Sequence, residues 1–384
     1  MRGTRPPAIA HLPSSPGVYR FRDAAGRVLY IGRASALRSR VASYWSDLRG
    51  RDRLAAMVAR VARVEAVSCD SVHEAAWLER NLLEASLPPW NRTPGGQETA
   101  VYIRMDAGPV HPGLSVAYQV KPDDQVRHFG PYLGGLKVRQ AVAGLHRIRP
   151  LCYAADRLSG GAERDLARAR GIPGDDRAAL ARSLAAILER QPAAVSRAHR
   201  QLEQLRDRAA HTLAYEFAAR VQDEIGALSW VSCPQRVTTM DAENLTISGW
   251  SRGTLVQFLI RDGRLRAWSQ QPCSHPDAIE AVAATPAAWR DFTQRNAELA
   301  AALTQQQRTV PSTALAAFQG EPEERPADVY PLLEECSSVC GCLVPHRQRL
   351  RVDEGRCRLA VRFGTIKSAG RDETRRTITA VARS

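Results

Sequence analysis

The chain has 384 residues and a formal net charge of +14, with 54 basic side chains against 40 acidic ones. This length exceeds a single hydrophobic core and predicts two or three domains. No run approaches the roughly eighteen consecutive apolar residues of a membrane helix, and the amino terminus has no hydrophobic signal segment. The composition therefore excludes a membrane protein and indicates a soluble, cytoplasmic one.

The positive charge is concentrated near the amino terminus. The first fifty residues contain nine arginines and two aspartates, a net charge of +7. Such a cluster suits a polyphosphate partner such as a nucleic acid. An alternative explanation is base composition, because the chain has 51 arginines and only three lysines.

Two tyrosine-containing triplets, Gly17-Val18-Tyr19 and Tyr30-Ile31-Gly32, lie on short apolar runs joined by the turn-rich residues 23–26. This pattern predicts a β-hairpin that brings Tyr19 and Tyr30 close together. After Gly32 the periodicity becomes helical, which places Arg33, Arg40 and Tyr44 on one side of a helix. The alternative is a hairpin followed by a surface helix whose arginines are merely solvated.

A second helix is predicted over residues 74–84, and Glu79 is its unusual feature. Its neighbours three and four positions away are apolar, so its carboxylate projects from the apolar face, where carboxylates rarely lie unpartnered. Two interpretations remain open, a buried ion pair with a nearby arginine and a metal ligand, of which the ligand is favoured. Glu74 and Glu84 lie off this face and are interpreted as solvated helix charges.

These elements together resemble the GIY-YIG nuclease family, and most closely the amino-terminal domain of UvrC and its short homologue Cho. The matching positions occur in order over about ninety residues: Leu12-Pro13, Pro16 to Tyr19, Tyr30 to Gly32, Arg40, Tyr44, the Glu79 helix and Pro88 to Asn91.

The resemblance implies a DNA endonuclease that uses one divalent ion, Mg²⁺ or Mn²⁺, held by Glu79. It assigns the base role to Tyr30 and the positioning of water and phosphate to Tyr19, Tyr44 and Asn91. Arg40 suits the phosphoryl oxygens because its guanidinium is always charged and matches phosphate geometry. Arg33, at a position that is usually lysine in UvrC, and Arg38 are predicted to bind DNA.

The predicted fold is α+β and multidomain. It comprises a small antiparallel sheet flanked by helices, a helical middle region and a mixed β/α carboxy-terminal region. The predicted divisions are a GIY-YIG domain at 1–92, a UvrC-like connecting segment at 101–152, helices at 175–230, a β segment at 231–272 and a region of unknown role at 273–384.

Residues 199–228 are predicted to form a helical hairpin with one apolar seam. The sequence around Tyr215, Phe217, Val221 and Ile225 resembles the UVR motif, which implies docking on a UvrB-like subunit. The alternative is an ordinary hairpin whose seam closes a local core.

Four cysteines lie close together near the carboxy terminus: Cys336, Cys340, Cys342 and Cys357. Their spacing is not that of a common zinc site, so free thiols are favoured over a metal or cluster. The UvrC resemblance fades after about residue 270. The second, ribonuclease-H-like nuclease of UvrC and its helix-hairpin-helix region are therefore expected to be absent.

Two functions from different classes fit the sequence. One is a UvrC/Cho-type endonuclease that makes a single incision in damaged or structured double-stranded DNA. The other is a non-catalytic DNA-binding adaptor that recruits a UvrB-like subunit or another partner. The carboxylate of Glu79 favours the enzyme, because a protein that only binds DNA has no need of an acid facing its phosphates.

Overall fold

Three antiparallel sheets, each of three strands, follow one another along the part of the chain that the structure describes. The computed structural model describes residues 6–46, 48–95, 98–121, 123–156 and 177–308, with four residues between 162 and 169. These residues fall within one compact unit, Met1–Ala317.

The first sheet contains the predicted hairpin. Its strands are ordered β2-β1-β3 and comprise β1 (Gly17–Arg22), β2 (Val28–Ala34) and β3 (Arg63–Ser68). Gly26 has φ +80° and donates its N–H to the Asp23 carbonyl at 3.0 Å, which closes the turn between β1 and β2. Glycine adopts this left-handed conformation without steric cost. The hairpin prediction is therefore confirmed.

Three helices surround this sheet, α1 (Leu37–Ala42), α2 (Asp52–Ala59) and α3 (Val72–Ala85). The prediction that Arg33 begins a helix was wrong. Arg33 lies in β2, because backbone pairing with β1 continues through Val18 opposite Arg33 and ends only at Ala34.

The amino terminus of α3 corrects the interpretation of Glu74 as a solvated charge. Ser71 caps the helix by accepting a hydrogen bond from the Glu74 N–H, and Glu74 is fully buried. Its carboxylate accepts backbone hydrogen bonds from Asp70 at 2.6 Å and Arg236 at 2.9 Å. Burial raises the pKa of Glu74, and these hydrogen bonds oppose the rise. Glu74 therefore fixes the start of α3 and ties it to the later part of the chain.

The middle region packs a second sheet against a group of helices around one hydrophobic core. The sheet has the order β5-β4-β6. Its elements are β4 (Val101–Asp106), β5 (Gly113–Ala117), β6 (Val126–Tyr132), α4 (Gly135–Ile148), α5 (Arg177–Leu188), α6 (Pro192–His211) and α7 (Tyr215–Val231).

The third sheet is a meander of β7 (Leu245–Ser251), β8 (Thr254–Arg261) and β9 (Arg264–Pro272). Two helices follow, α8 (His275–Ala283) and α9 (Ala287–Arg308). The break lies at Pro286, whose ring lacks an N–H and disfavours helical backbone at the residue before it.

The third sheet and α9 cover the first sheet. One cluster of buried side chains joins both sheets, and its members include Val18, Ile31, Trp77, Phe258, Trp268 and Phe292. Within the first sheet Arg20 forms a buried ion pair with Glu65, and across the contact its Nη1 donates to the Trp268 carbonyl at 3.0 Å. The nuclease-like sheet thus shares its core with residues more than 200 positions later.

None of the described helices combines the length and apolar character that a membrane span needs. Among the described residues, Cys69, Cys152, Cys233 and Cys273 form no disulfide. The predicted cluster of Cys336, Cys340, Cys342 and Cys357 lies outside the described residues.

Candidate active site

Tyr19 and Tyr30 meet on one face of the first sheet. Tyr19 pairs with Gly32 and Phe21 pairs with Tyr30, and the two tyrosine rings lie 6.2 Å apart between centroids. A Cβ atom at Gly32 would lie 2.6 Å from the Tyr19 hydroxyl oxygen and 2.7 Å from Cε1 of Tyr30. Gly32 is therefore required here because the two phenols occupy the space that any side chain would fill.

Tyr44 completes a cluster of three phenols. It lies in the short helical turn Ser43–Trp45 that follows α1, and its hydroxyl is 2.8 Å from that of Tyr19. Phe21, which the sequence analysis did not single out, packs beneath the cluster with its ring edge-on to Tyr44 at 5.1 Å. Its position two residues after Tyr19 on the same strand face was the signal for this role.

Arg40 places a positive charge beside these phenols. Its Cζ lies 5.3 Å from the centroid of the Tyr44 ring. Burial raises the pKa of Tyr30, as do Tyr44 and Glu79, whereas the positive charge of Arg40 lowers it. Burial also raises the pKa of Tyr19, with further increases from Tyr44 and Tyr30. Tyr19 and Tyr30 are therefore held as neutral groups beside the positive charge of Arg40.

Glu79 faces this cluster from α3, and Arg33 contacts its carboxylate. Oε1 accepts a hydrogen bond from the backbone N–H of Arg33 at 3.2 Å, and Oε2 lies 3.3 Å from Nε of the same arginine. Burial raises the pKa of Glu79, and Arg33 opposes that rise. The ion pair considered from the sequence is therefore present, with Arg33 as its partner.

The donor set around Glu79 is consistent with a hard divalent ion that retains most of its waters. The carboxylate supplies oxygen ligands, and the Glu79 side chain is 21% exposed, so it can be reached from solvent. Within the described ranges no cluster of three or more His, Cys, Asp or Glu side chains could form a metal cage. One carboxylate together with water and substrate phosphate is an arrangement that Mg²⁺ tolerates well.

Asn91 lies beside the cluster. The resemblance implies that its side chain positions water and phosphate, but here the side chain is bonded to the protein backbone. Its Oδ1 accepts from the Ile31 N–H at 2.9 Å, and its Nδ2 donates to the Ile31 carbonyl at 2.8 Å. Both ends of the amide are thus bonded to the backbone of β2, between Tyr30 and Gly32. In this arrangement Asn91 holds the strand that carries Tyr30.

Arg38 was predicted to bind DNA, but one nitrogen of its guanidinium is bonded within the protein. Its Nε donates to the Leu12 carbonyl at 2.7 Å, which ties α1 to the segment before β1. Arg33 is the other predicted DNA contact, and its side chain is half exposed beside Glu79. The two arginines therefore differ in how freely they can reach a phosphate.

The predicted partner-binding seam is mostly covered by the chain itself. Val221 is fully buried and Ile225 is 7% exposed, and both pack in the core that contains α4 and β4. Glu224 of the same helix forms a 2.7 Å ion pair with Arg147 of α4. The prediction that Val221 and Ile225 face a partner is therefore wrong. Phe217 is partly buried, and Tyr215 is 64% exposed near the tip of the hairpin.

Comparison with known families matches residues 15–92 to the UvrC-like GIY-YIG domain. This is a nuclease domain, so the resemblance inferred from the sequence is confirmed for the first domain. Among curated proteins, UvrABC system protein C of Symbiobacterium thermophilum is 32% identical over 272 residues, covering 66% of this chain and 42% of that protein. The corresponding protein of Geobacter metallireducens is 38% identical over 141 residues, covering 36% of this chain and 23% of that protein.

The chain spans about two-fifths of the length of the relatives that it matches over two-thirds of its own length. A solved structure of the GIY-YIG amino-terminal endonuclease domain of UvrC from Thermotoga maritima, bound to magnesium, is 30% identical. It covers 22% of this chain and 91% of that domain, with a TM-score of 0.20.

Proposed function

We propose that the first domain hydrolyses a phosphodiester bond in damaged or structured double-stranded DNA, making a single metal-dependent incision of the UvrC/Cho type. The observation that carries this proposal is the convergence of three phenols, one guanidinium and one carboxylate around Gly32. A fold that needed only a core would fill this volume with apolar side chains, because burying polar groups is costly.

We assign each residue of this site a role that is compatible with its surroundings. In its phenolate form Tyr30 accepts the proton of the attacking water, and the positive charge of Arg40 favours that form by lowering the pKa of the phenol. Arg40 also stabilises the charge that builds on the phosphoryl oxygens as the bond to the 3′-oxygen breaks. Tyr19 and Tyr44 orient the water and phosphate through their hydroxyls, which bond to each other. Asn91 acts through the backbone, by fixing Ile31 next to Tyr30.

Glu79 is the residue that would hold one Mg²⁺ or Mn²⁺ ion. When bound, the ion supplies a Lewis acid that polarises the scissile phosphate. A metal ion on Glu79 would also act on Tyr30. Burial and the negative charge of the Glu79 carboxylate raise the pKa of this phenol. Neutralising that carboxylate removes one of the causes that keep Tyr30 protonated.

We propose nucleotide excision repair as the setting, with a UvrB-like subunit as the loading partner. The support is the similarity to UvrABC system protein C over two-thirds of the chain. With Val221 and Ile225 buried, the exposed end of the hairpin around Tyr215 is the part available for docking.

A second candidate function is a DNA-binding adaptor without catalysis. The observation in its favour is the Arg33–Glu79 pair, which uses both carboxylate oxygens within the protein. In an adaptor this pair would be permanent, and wild-type protein would bind a nicked or lesion-bearing duplex without cutting it at any Mg²⁺ or Mn²⁺ concentration.

Glu79→Gln tests the assignment directly. The change removes the proposed metal ligand and no phosphate-contacting cation, so cleavage should be abolished while DNA affinity is retained or increased. The measurement is cleavage of a nicked or lesion-bearing duplex with and without Mg²⁺ and UvrB, alongside fluorescence anisotropy for binding. Cleavage at the wild-type rate in the variant would contradict the metal-site assignment.

Glu84→Gln is the matched control. Glu84 lies on the same helix, and its carboxylate pairs with Arg80 at 3.3 Å and Arg266 at 2.8 Å, away from the phenols. This variant removes the same charge from α3 and should cut DNA at the wild-type rate.

A further inference from the structure

Arg33 and Glu79 come from different elements, a strand end and a helix, and meet across 46 positions of sequence. The backbone N–H of Arg33 is fixed by its strand, whereas its side chain is half exposed to solvent. One carboxylate oxygen is therefore bonded to a rigid donor. The other is paired with a movable one.

The movable contact competes with a metal ion. The guanidinium Nε lies 3.3 Å from Oε2, on the oxygen that the backbone contact leaves available to a cation. An arginine beside a carboxylate and a divalent ion on that carboxylate offer the same electrostatic stabilisation, so each reduces the benefit of the other. A guanidinium released from Glu79 is well suited to a DNA phosphate, whose geometry it matches.

We propose that Arg33 is a latch on Glu79 that couples metal loading to DNA binding: its side chain pairs with the carboxylate in free protein and moves to a phosphate when DNA binds. This inference rests on the proposed function and adds a regulatory role for one residue of that site. Because coupling between two ligands is reciprocal, the latch weakens metal binding without DNA and weakens DNA binding without metal.

Two binding measurements on the full chain test the latch without any cleavage. In the first, Mn²⁺ affinity is measured by electron paramagnetic resonance in the absence of DNA. Arg33→Gln should bind Mn²⁺ about fivefold more tightly than wild type, the scale expected for losing one partly exposed ion pair. Arg40→Gln removes an equal charge near the same carboxylate, without a direct contact to it, and should have a clearly smaller effect.

In the second measurement, DNA affinity is determined by anisotropy in buffer containing EDTA. Glu79→Gln frees the Arg33 side chain and should tighten DNA binding severalfold. In the Arg33→Gln background the same change at Glu79 should give no such gain. A gain of equal size in both backgrounds would mean that lost carboxylate repulsion explains it, and would overturn the latch.

The outcomes separate the latch from the function on which it rests. If Glu79→Gln binds Mn²⁺ as tightly as wild type, the metal-site assignment fails and the latch fails with it. If Glu79→Gln loses Mn²⁺ but Arg33→Gln gains nothing over Arg40→Gln, the metal site stands and the latch alone is overturned. Thermal unfolding of each variant checks that the fold is retained.

Discussion

Arg40 and Arg38 lie two positions apart in α1, yet their guanidiniums have different surroundings. Arg40 lies over the Tyr44 ring at 5.3 Å, whereas Arg38 is bonded through Nε to the Leu12 carbonyl. We expect Arg40→Ala to reduce the cleavage rate at saturating DNA by about 100-fold or more, the scale for losing one charge-stabilising donor. Arg38→Ala should act mainly on salt-sensitive DNA affinity and on stability. Equal losses of rate in the two variants would argue against a special role for Arg40.

The burial of His73 leads us to expect that the stability of the protein depends on pH. This dependence is separate from catalysis. It is 2% exposed, its Nε2 accepts from the Leu133 N–H at 3.1 Å, and Nδ1 has no hydrogen-bond partner among the residues that the structure describes. Burial, with a contribution from Arg190, lowers the pKa of His73 to about 3. Below about pH 6.5 this imidazole becomes protonated in the unfolded chain but stays neutral in the folded chain. The free energy of unfolding therefore decreases as the pH falls.

The expected loss between pH 7 and pH 5 is about 2 kcal/mol from this residue. His73→Gln keeps a hydrogen-bond acceptor but cannot be protonated, so it should flatten the pH dependence of the urea unfolding free energy by that amount. The exposed His111 provides the comparison, because His111→Gln makes the same substitution at the protein surface. An unaltered slope in His73→Gln would show that this imidazole is not buried in its neutral form.

At the scale of elements, both free edges of the first sheet are covered by asparagine side chains. Asn91 bonds both backbone groups of Ile31 on β2, and Asn296 of α9 does the same to Ser68 on β3, at 2.7 and 3.2 Å. Each amide replaces the next strand at one residue, satisfying groups that an open edge would expose. The nuclease-like sheet is thus held in place from both sides, once by its own domain and once by α9.

We therefore expect Asn296→Ala to destabilise the protein. The change leaves a buried N–H and a buried carbonyl on Ser68 without partners, which costs roughly 2–4 kcal/mol. Gln307, also on α9, donates one hydrogen bond to the Val64 carbonyl at 2.8 Å, so Gln307→Ala should cost about 1 kcal/mol. Urea unfolding compares the two, and similar costs would contradict the role assigned to Asn296.

Local signals explain which elements the sequence predicted. Turn chemistry around Gly26 and alternating apolar residues specify the first hairpin without distant information, and the helical period of α3 places Glu79 on the inner side. The position of Arg33 was misjudged because its spacing to Arg40 and Tyr44 also fits a helix, and only pairing with β1 decides between them. The Asn296–Ser68 bonds join residues 228 positions apart, so no local pattern could have predicted them.

At the scale of the whole molecule, the hairpin of α6 and α7 belongs to the core of the middle region. Its inner seam packs on α4, and Arg147 of α4 both pairs with Glu224 and lies 4.9 Å from the Phe217 ring. What remains accessible is the tip, where Leu213 is 71% exposed and Tyr215 is 64% exposed. Large apolar side chains exposed together are typical of a binding surface.

Substitutions at the seam should therefore affect stability, whereas substitutions at the tip should affect partner binding. Val221→Ala should lower the unfolding free energy by about 2 kcal/mol, because it leaves a cavity against α4, and should not selectively weaken binding of a UvrB-like subunit. Tyr215→Ala should leave the melting temperature unchanged and weaken that binding about thirtyfold, as for loss of an aromatic anchor. Phe217→Ala, at a half-buried position, should do some of both. Melting temperature, pull-down with UvrB and Mg²⁺-dependent cleavage on DNA that needs no loading are measured on each variant. Unaltered UvrB binding by Tyr215→Ala, or failure of wild-type protein to bind UvrB at micromolar concentration, would contradict docking through the tip.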